Sequence, residues 1–298
     1  MNAGAVRTLA AVAAVLLASG SVEMRAEAAE SQTAVTGLDG QTLTLEFIDK
    51  AIAEGRFKGA AELLTRAATR YPGPEVSLRE AELMLAAGSL ADAAIAFQAL
   101  EADPIVGARA QTGRGITAIR AGHPEAAETL LADAVAHDPA LARAWSARAV
   151  LADKRHDWTA AESYYAQALS AAPESAEILS NRGYSRLLQG RAAEAETDFT
   201  TALAKQPGLK VAATNLKLAK AMQGRYAEAF TSTNRDELAR DLNTVGVAAM
   251  LRGDHRIAES YFARAIDMSS RYDKVASANL AYLKSIAPEL QDGQSPRP

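Results

Sequence analysis

The chain contains no cysteine. That excludes disulfides, thiolate nucleophiles and cysteine-ligated zinc, and it fits either redox compartment. Aromatic residues make up only 5% of the sequence, while apolar residues reach 49% and are largely alanine. Such a composition favours helix and lets helices approach closely. There is no excess of positive charge: the net charge is -4, so nothing draws the chain as a whole to nucleic acid or to an anionic membrane. Long apolar runs are also missing. The most apolar stretch, Leu9 to Ala18, has ten residues, well short of the roughly 20 needed to span a bilayer. Catalytic signatures are lacking as well. No GxSxG, Walker or GxGxxG pattern occurs, and Gln111-Thr112-Gly113-Arg114-Gly115 lies in a helical segment rather than a phosphate loop. His123, His137, His156 and His255 fall at inter-helix turns without metal-ligand spacing. Glu125 and Glu128 are three residues apart on a helix surface and read as solvated charge. The expectation is a protein with no catalytic residue, no cofactor and no metal.

What is present is a period. Gly55, Gly88, Gly122, His156, Gly190 and Gly224 follow one another at spacings of 33, 34, 34, 34 and 34, and Gly253 comes after only 29. Four of them are followed two residues later by a bulky side chain (Phe57, Leu90, Trp158, Tyr226), and each is followed by a small one: Ala60, Ala93, Ala127, Ala161, Ala195, Ala229 or Ala258. An aromatic or leucine comes next (Leu64, Phe97, Leu131, Tyr165, Phe199, Phe262), and Pro72, Pro104, Pro139, Pro173 or Pro207 closes the unit. The glycine ends a first helix in the left-handed conformation. The small residue permits close packing, the larger one fills the space between units, and proline stops the second helix. A fixed period of this length means stacked helix pairs and hence a binding surface rather than a catalytic pocket.

This pattern resembles the tetratricopeptide repeat over about 240 residues of the sequence. The resemblance implies an all-α solenoid of tandem helix-turn-helix repeats forming a right-handed superhelix. About seven repeats and a C-terminal capping helix are expected over residues 43–287, after a flexible linker at 29–42 and before a disordered tail at 288–298. The sixth repeat is five residues short, and Thr231-Ser232-Thr233-Asn234-Arg235-Asp236 interrupts the apolar face of its second helix. It reads as a hinge or as a degenerate unit tolerated by its neighbours.

Residues 1–28 read as a secretory signal peptide: Arg7, the apolar stretch, then Ala26-Glu27-Ala28 as the cleavage pattern, with Ala18-Ser19-Gly20 as the alternative. Leu17-Ala18-Ser19-Gly20-Ser21 is similar to a bacterial lipoprotein signal, but Ser21 stands where the lipid-bearing cysteine would be. A hydroxyl cannot form the thioether, so the mature form is expected to be exported, periplasmic and unlipidated, with no stable membrane insertion.

In tetratricopeptide arrays the first helix of each pair lines the concave face. On this basis Asn181, Asn215 and Asn279 share one repeat position there, where an amide can donate to and accept from a peptide backbone. They can equally bond within their own repeats or face water. Glu75, Glu82, Arg109, Arg143, Ser146, Glu177, Tyr184 and Leu218 are placed on the same face. Arg109 and Arg143, one repeat apart, would either hold a partner carboxylate or be solvated helix starts. The lysine and asparagine set of a carboxylate clamp is absent.

A narrower resemblance covers about sixty residues. Arg240 to Ala248, Leu251 to Asp254, Ala258 to Phe262 and Arg264 to Ile266 are similar to the C-terminal repeats of the tight-adherence (Flp) pilus assembly proteins that carry tetratricopeptide repeats. It implies an exported assembly factor acting with a secretin or other pilus and secretion components. The alternatives are a general adaptor in envelope biogenesis or cell division, and a non-catalytic partner of an envelope enzyme.

Overall fold

The structure is a computed structural model that describes residues 40–230, 234–269 and 273–287. The signal peptide, most of the linker, Thr231 to Thr233 and the tail lie outside the described residues. Among those described there are fourteen α-helices, one short 3-10 turn and no strand. The helices fall into two compact units that divide between Pro173 and Glu174.

The N-terminal unit holds four helix pairs: α1 (Gly40–Ala53) with α2 (Phe57–Arg70), α3 (Pro74–Ala87) with α4 (Leu90–Leu100), α5 (Gly107–Ala121) with α6 (Pro124–His137), and α7 (Ala142–Lys154) with α8 (Trp158–Ala171). Helix α1 begins at Gly40, three residues inside the stretch expected to be linker. The C-terminal unit holds α9 (Ala176–Leu188) with α10 (Ala192–Lys205), α11 (Lys210–Met222), a 3-10 turn (Tyr226–Ala229), α12 (Arg235–Arg252) with α13 (His255–Met268), and the unpaired α14 (Lys274–Ile286).

The punctuation follows the sequence. Gly88, Gly122 and Gly253 take left-handed backbone angles at the ends of α3, α5 and α12. His156 holds the same slot with φ 59°, the one non-glycine in positive φ among the described residues. For an ordinary side chain that conformation costs about 1 kcal/mol or more, and the ring lies against the edge of Trp158 at 5.1 Å. Proline follows the ends of α2, α6, α8 and α10 by two residues and that of α4 by four, while none follows α13 before α14.

Packing inside a pair has one recurring contact. The ring of Phe199 lies on Gly183, that of Phe262 on Gly246, and Leu131 lies on Gly115. All three large side chains are fully buried. The large residue of the second helix is thus seated on the first helix of its own pair, not only between units as the spacing suggests. Phe97 differs by reaching Gly113 of the following pair. In α7 Ala149 stands in the glycine's place, and there the Tyr165 hydroxyl donates to Asp153 Oδ2 at 2.9 Å, both groups buried. Burial, with the nearby Asp153 carboxylate, pushes the Tyr165 hydroxyl well above its ordinary value of 10.0.

The sixth repeat departs furthest from expectation. Its second helix is not merely weakened but replaced by four residues of 3-10 turn. Lys217 occupies the position held by Gly183 and Gly246 in the neighbouring repeats. With no second helix to seat an aromatic there, its ammonium extends to Asp241 Oδ1 of α12 at 2.6 Å. Asp241 is buried, and its Oδ2 has no hydrogen-bond partner among the described residues.

Three outcomes follow for denaturant unfolding of the full chain. Gly246→Ala places a Cβ 2.6 Å from Phe262 Cε1. Overpacking of about 1–3 kcal/mol outweighs the gain of about 1 kcal/mol from alanine's helix propensity, so the variant is less stable. Gly59→Ala, with open space around it, shows only the gain. Lys217→Met strands a buried carboxylate and costs about 3–5 kcal/mol, whereas Lys217→Met with Asp241→Leu is milder. Tyr165→Phe costs about 1–3 kcal/mol at neutral pH. Because the folded-state value of Tyr165 is raised, its contribution is intact below pH 10 and fades as pH rises above it. The phenylalanine variant lacks that part of the alkaline loss.

Candidate functional site

The first helices of successive pairs touch one another: α1 with α3, α3 with α5 and α5 with α7 in the N-terminal unit, and α9 with α11 and α12 with α14 in the C-terminal unit. Any side chain at a fixed position of these helices therefore recurs along one face. This is the face on which the sequence places its candidate residues.

In the N-terminal unit that face carries a chain of ion pairs. Arg79 of α3 grips Asp49 of α1 with two hydrogen bonds of 3.0 Å. Arg79 also pairs with Glu75, four residues earlier, and Glu75 accepts from Arg109 of α5. Arg143 of α7 pairs with Glu82 of α3 at 2.7 Å. Burial acts to raise the Glu75 carboxyl, but hydrogen bonds and charge from Arg109 and Arg79 outweigh it and hold the group below its usual range. Arg109 and Arg143 therefore hold carboxylates of this chain. They are neither bare solvated helix starts nor unoccupied cations. Partly exposed pairs of this kind are each worth about 0–1 kcal/mol, so they organise the face more than they stabilise the fold.

The C-terminal unit treats its candidates unequally. Asn181 is exposed on α9 and Tyr184 is half-buried one turn on; both have interactions within the chain. Asn215 is half-buried on α11, and its amide has no partner among the described residues. Asn279 is buried on α14 and donates to Asn243 Oδ1 of α12 at 2.9 Å. Its amide links two neighbouring repeats, an arrangement distinct from the expected row of three equivalent clamps. Ser146 and Leu218 are buried, and Glu177 is exposed.

The sequence reading passed over Arg79, Asp49 and Asn243. The first two carry a signal. Arg79 shares its repeat position with Asn181 and Asn215, and Asp49 shares that of Glu82 and Tyr184. Asn243 has none, because it is recognisable only from the amide it faces.

Two carboxylates, buried Asp198 and partly exposed Glu128, tie second helices to first helices. Asp198 of α10 accepts from Arg182 at 2.7 and 3.0 Å and from Arg186 at 2.8 Å. Arg148 packs over the adjacent rings of Trp145 and Tyr164, 5.3 and 4.4 Å from their centres, and donates to Glu128. Among the described residues no group of three His, Cys, Asp or Glu is placed to hold a metal ion. No helix among them is long and apolar enough to cross a membrane.

Comparison with known proteins bears on the fold. Residues 45–104 and 147–210 match the family model described as Tetratricopeptide repeat. A comparison with curated proteins finds no match. Among solved structures, the APC/C hetero-tetramer Cut9–Hcn1 is similar with a TM-score of 0.60 at 12% identity, over 79% of this chain and 48% of that one. This chain thus spans about half the length of the chain it matches there. TTC0263, a thermophilic protein of Thermus thermophilus, is similar with a TM-score of 0.50 at 24% identity, over 64% of this chain and 98% of that one. PilW, a widely conserved type IV pilus biogenesis factor, is matched with a TM-score of 0.46 at 21% identity, over 63% of this chain and 95% of that one. Sequence model and backbone agree at the level of fold: residues 45–104 and 147–210 match tetratricopeptide repeats, and the described residues form tandem helix pairs.

Proposed function

We propose that the chain is a non-catalytic scaffold that holds a segment of a partner protein against the first helices of its repeats. The observation that carries this reading is the shared face itself, where side chains recur in register and bridge between repeats, Arg143 reaching across two. A surface with a fixed repeat suits a partner that also repeats, namely a peptide backbone in extended or helical form. Asn215 and Tyr184 in the C-terminal unit, with Asn181 beside them, offer donors, acceptors and a ring for such a segment.

The place of action we propose is the periplasm, from the leader at residues 1–28, and the process is tight-adherence pilus assembly. That assignment rests on the likeness of Arg240 to Ile266 to the C-terminal repeats of those assembly proteins. Ser21 in place of a lipidated cysteine makes the exported form a soluble adaptor rather than an anchored one. A secretin or another component of the pilus machinery is the partner that this reading names.

Crosslinking with mass spectrometry of the chain in its native envelope tests the proposal. Crosslinks from the first-helix face to a pilus or secretion component are expected, and Tyr184→Ala with Asn215→Ala should reduce them about tenfold, as loss of an aromatic anchor does. Crosslinks confined to the second helices, or a deletion strain that assembles pili normally, would overturn it.

A further inference from the structure

The collapsed sixth repeat leaves a vacancy that the proposed scaffold role does not use. In the C-terminal unit, α10 and α13 are second helices, and the second helix that belongs between them is reduced to Tyr226–Ala229. Beside this turn lies an open cavity of about 350 Å³, lined by Tyr226 and by Arg256, Ile257, Ser260, Tyr261 and Arg264 of α13. The five α13 residues form one stripe, at spacings of one, three, one and three, so they share a helix face.

The chemistry of that stripe is unlike its counterparts. In α10 the same five positions read Ala193, Glu194, Thr197, Asp198 and Thr201, and in α8 they read Thr159, Ala160, Ser163, Tyr164 and Gln167. Only in α13 do cations stand at both ends with an aliphatic and an aromatic side chain between them. Ile257 is 42% exposed, a large apolar group left facing solvent. Tyr261 is wedged between the rings of Tyr226 and Phe230, at 6.0 and 5.6 Å. It therefore forms a firm apolar floor. Arg264 is exposed and lies 6.0 Å above the Tyr261 ring, with no carboxylate partner among the described residues. Arg256, eight residues earlier, is also exposed and has an interaction within the chain. The two guanidinium-bearing positions are about 12 Å apart along the helix axis.

We infer that this cavity is a second docking site, which receives an acidic amphipathic helix of a partner protein laid along α13. One large apolar side chain of the incoming helix enters between Tyr226, Ile257 and Tyr261. Carboxylates seven or eight residues apart, on either side of that anchor, meet Arg256 and Arg264. The cavity is at the small end of the roughly 300–1,000 Å³ usual for ligand pockets, so it takes an anchor residue while the rest of the helix lies along α13. Opposite charge selects the occupant: a basic helix of the same shape brings cation against cation.

The test uses the full chain and two labelled synthetic helical peptides. One carries a single tryptophan flanked by glutamates at that spacing, and the other has lysines in place of the glutamates. Fluorescence anisotropy should show saturable binding of the acidic peptide, weakening with added salt, and none of the basic one. Arg264→Glu and Ile257→Asp are both exposed changes that leave the fold intact, and each should weaken binding about tenfold or more. Lys58→Glu, exposed on α2 in the other unit, should leave it unchanged. No binding of the acidic peptide, equal binding of both peptides, or indifference to Arg264→Glu would overturn the site. A concentration-dependent dimer that Arg264→Glu dissolves would give the vacancy to a second copy of this chain. Acidic-peptide binding seen only after removal of residues 288–298 would give it to the chain's own terminus. Either result also overturns a partner-helix site. The outcome is independent of the first-helix face, because neither Tyr184 nor Asn215 lines this cavity.

Discussion

A large side chain set down on a residue with no Cβ is the contact from which this architecture is built. Phe199 on Gly183, Leu131 on Gly115 and Phe262 on Gly246 bring two helices close enough that alanine suffices elsewhere in the interface. Close approach raises the number of dispersion contacts per residue without large side chains. An alanine-rich chain with few aromatics can then still bury a continuous core. The short-range nature of that contact also explains why repeats vary independently. Each pair satisfies most of its own packing and passes only a face to the next.

Where the contact is lost, the neighbourhood is rebuilt around charge. Lys217 stands where glycine would be, with no aromatic of a second helix seated on it, and its ammonium reaches Asp241 of the next repeat instead. The same substitution in an intact pair would collide with an aromatic ring. A hydrophobic contact inside one repeat has thus been exchanged for an ionic one between two repeats. The shortened unit still packs on its neighbour. Tyr226 and Phe230 persist from it as rings packed against Tyr261, which keeps the adjacent helices supplied with apolar contact.

Much of this was legible in the sequence, for a physical reason. A period of 34 is imposed by backbone geometry, and the glycine, small residue, aromatic and proline are each demanded by one local constraint. Helix boundaries and the tetratricopeptide fold followed from them. The functional face was legible only as a set of positions. Arg109 and Arg143 were correctly assigned to first helices. That Glu75 and Glu82 would meet them depends on side-chain reach across repeats 34 and 61 residues apart, which no local pattern encodes. Asn279 was similarly placed on the right helix, while its burial depends on how α14 lies on α12. The loss of the sixth second helix was half visible: five missing residues were countable, but the polar run alone did not distinguish a weak helix from none.

The paired charges on the N-terminal unit have a consequence for any ligand that lands there. Arg79, Arg109 and Arg143 are matched by Asp49, Glu75 and Glu82, so the cluster is electrically neutral and casts little field into solution. Diffusing partners are not steered to it. A ligand carboxylate gains an arginine only by releasing a carboxylate of the host, and the displaced acid then stands beside the newcomer. Capture becomes an exchange with almost no net Coulomb gain, and discrimination passes to shape, spacing and the order in which the host's own pairs come apart.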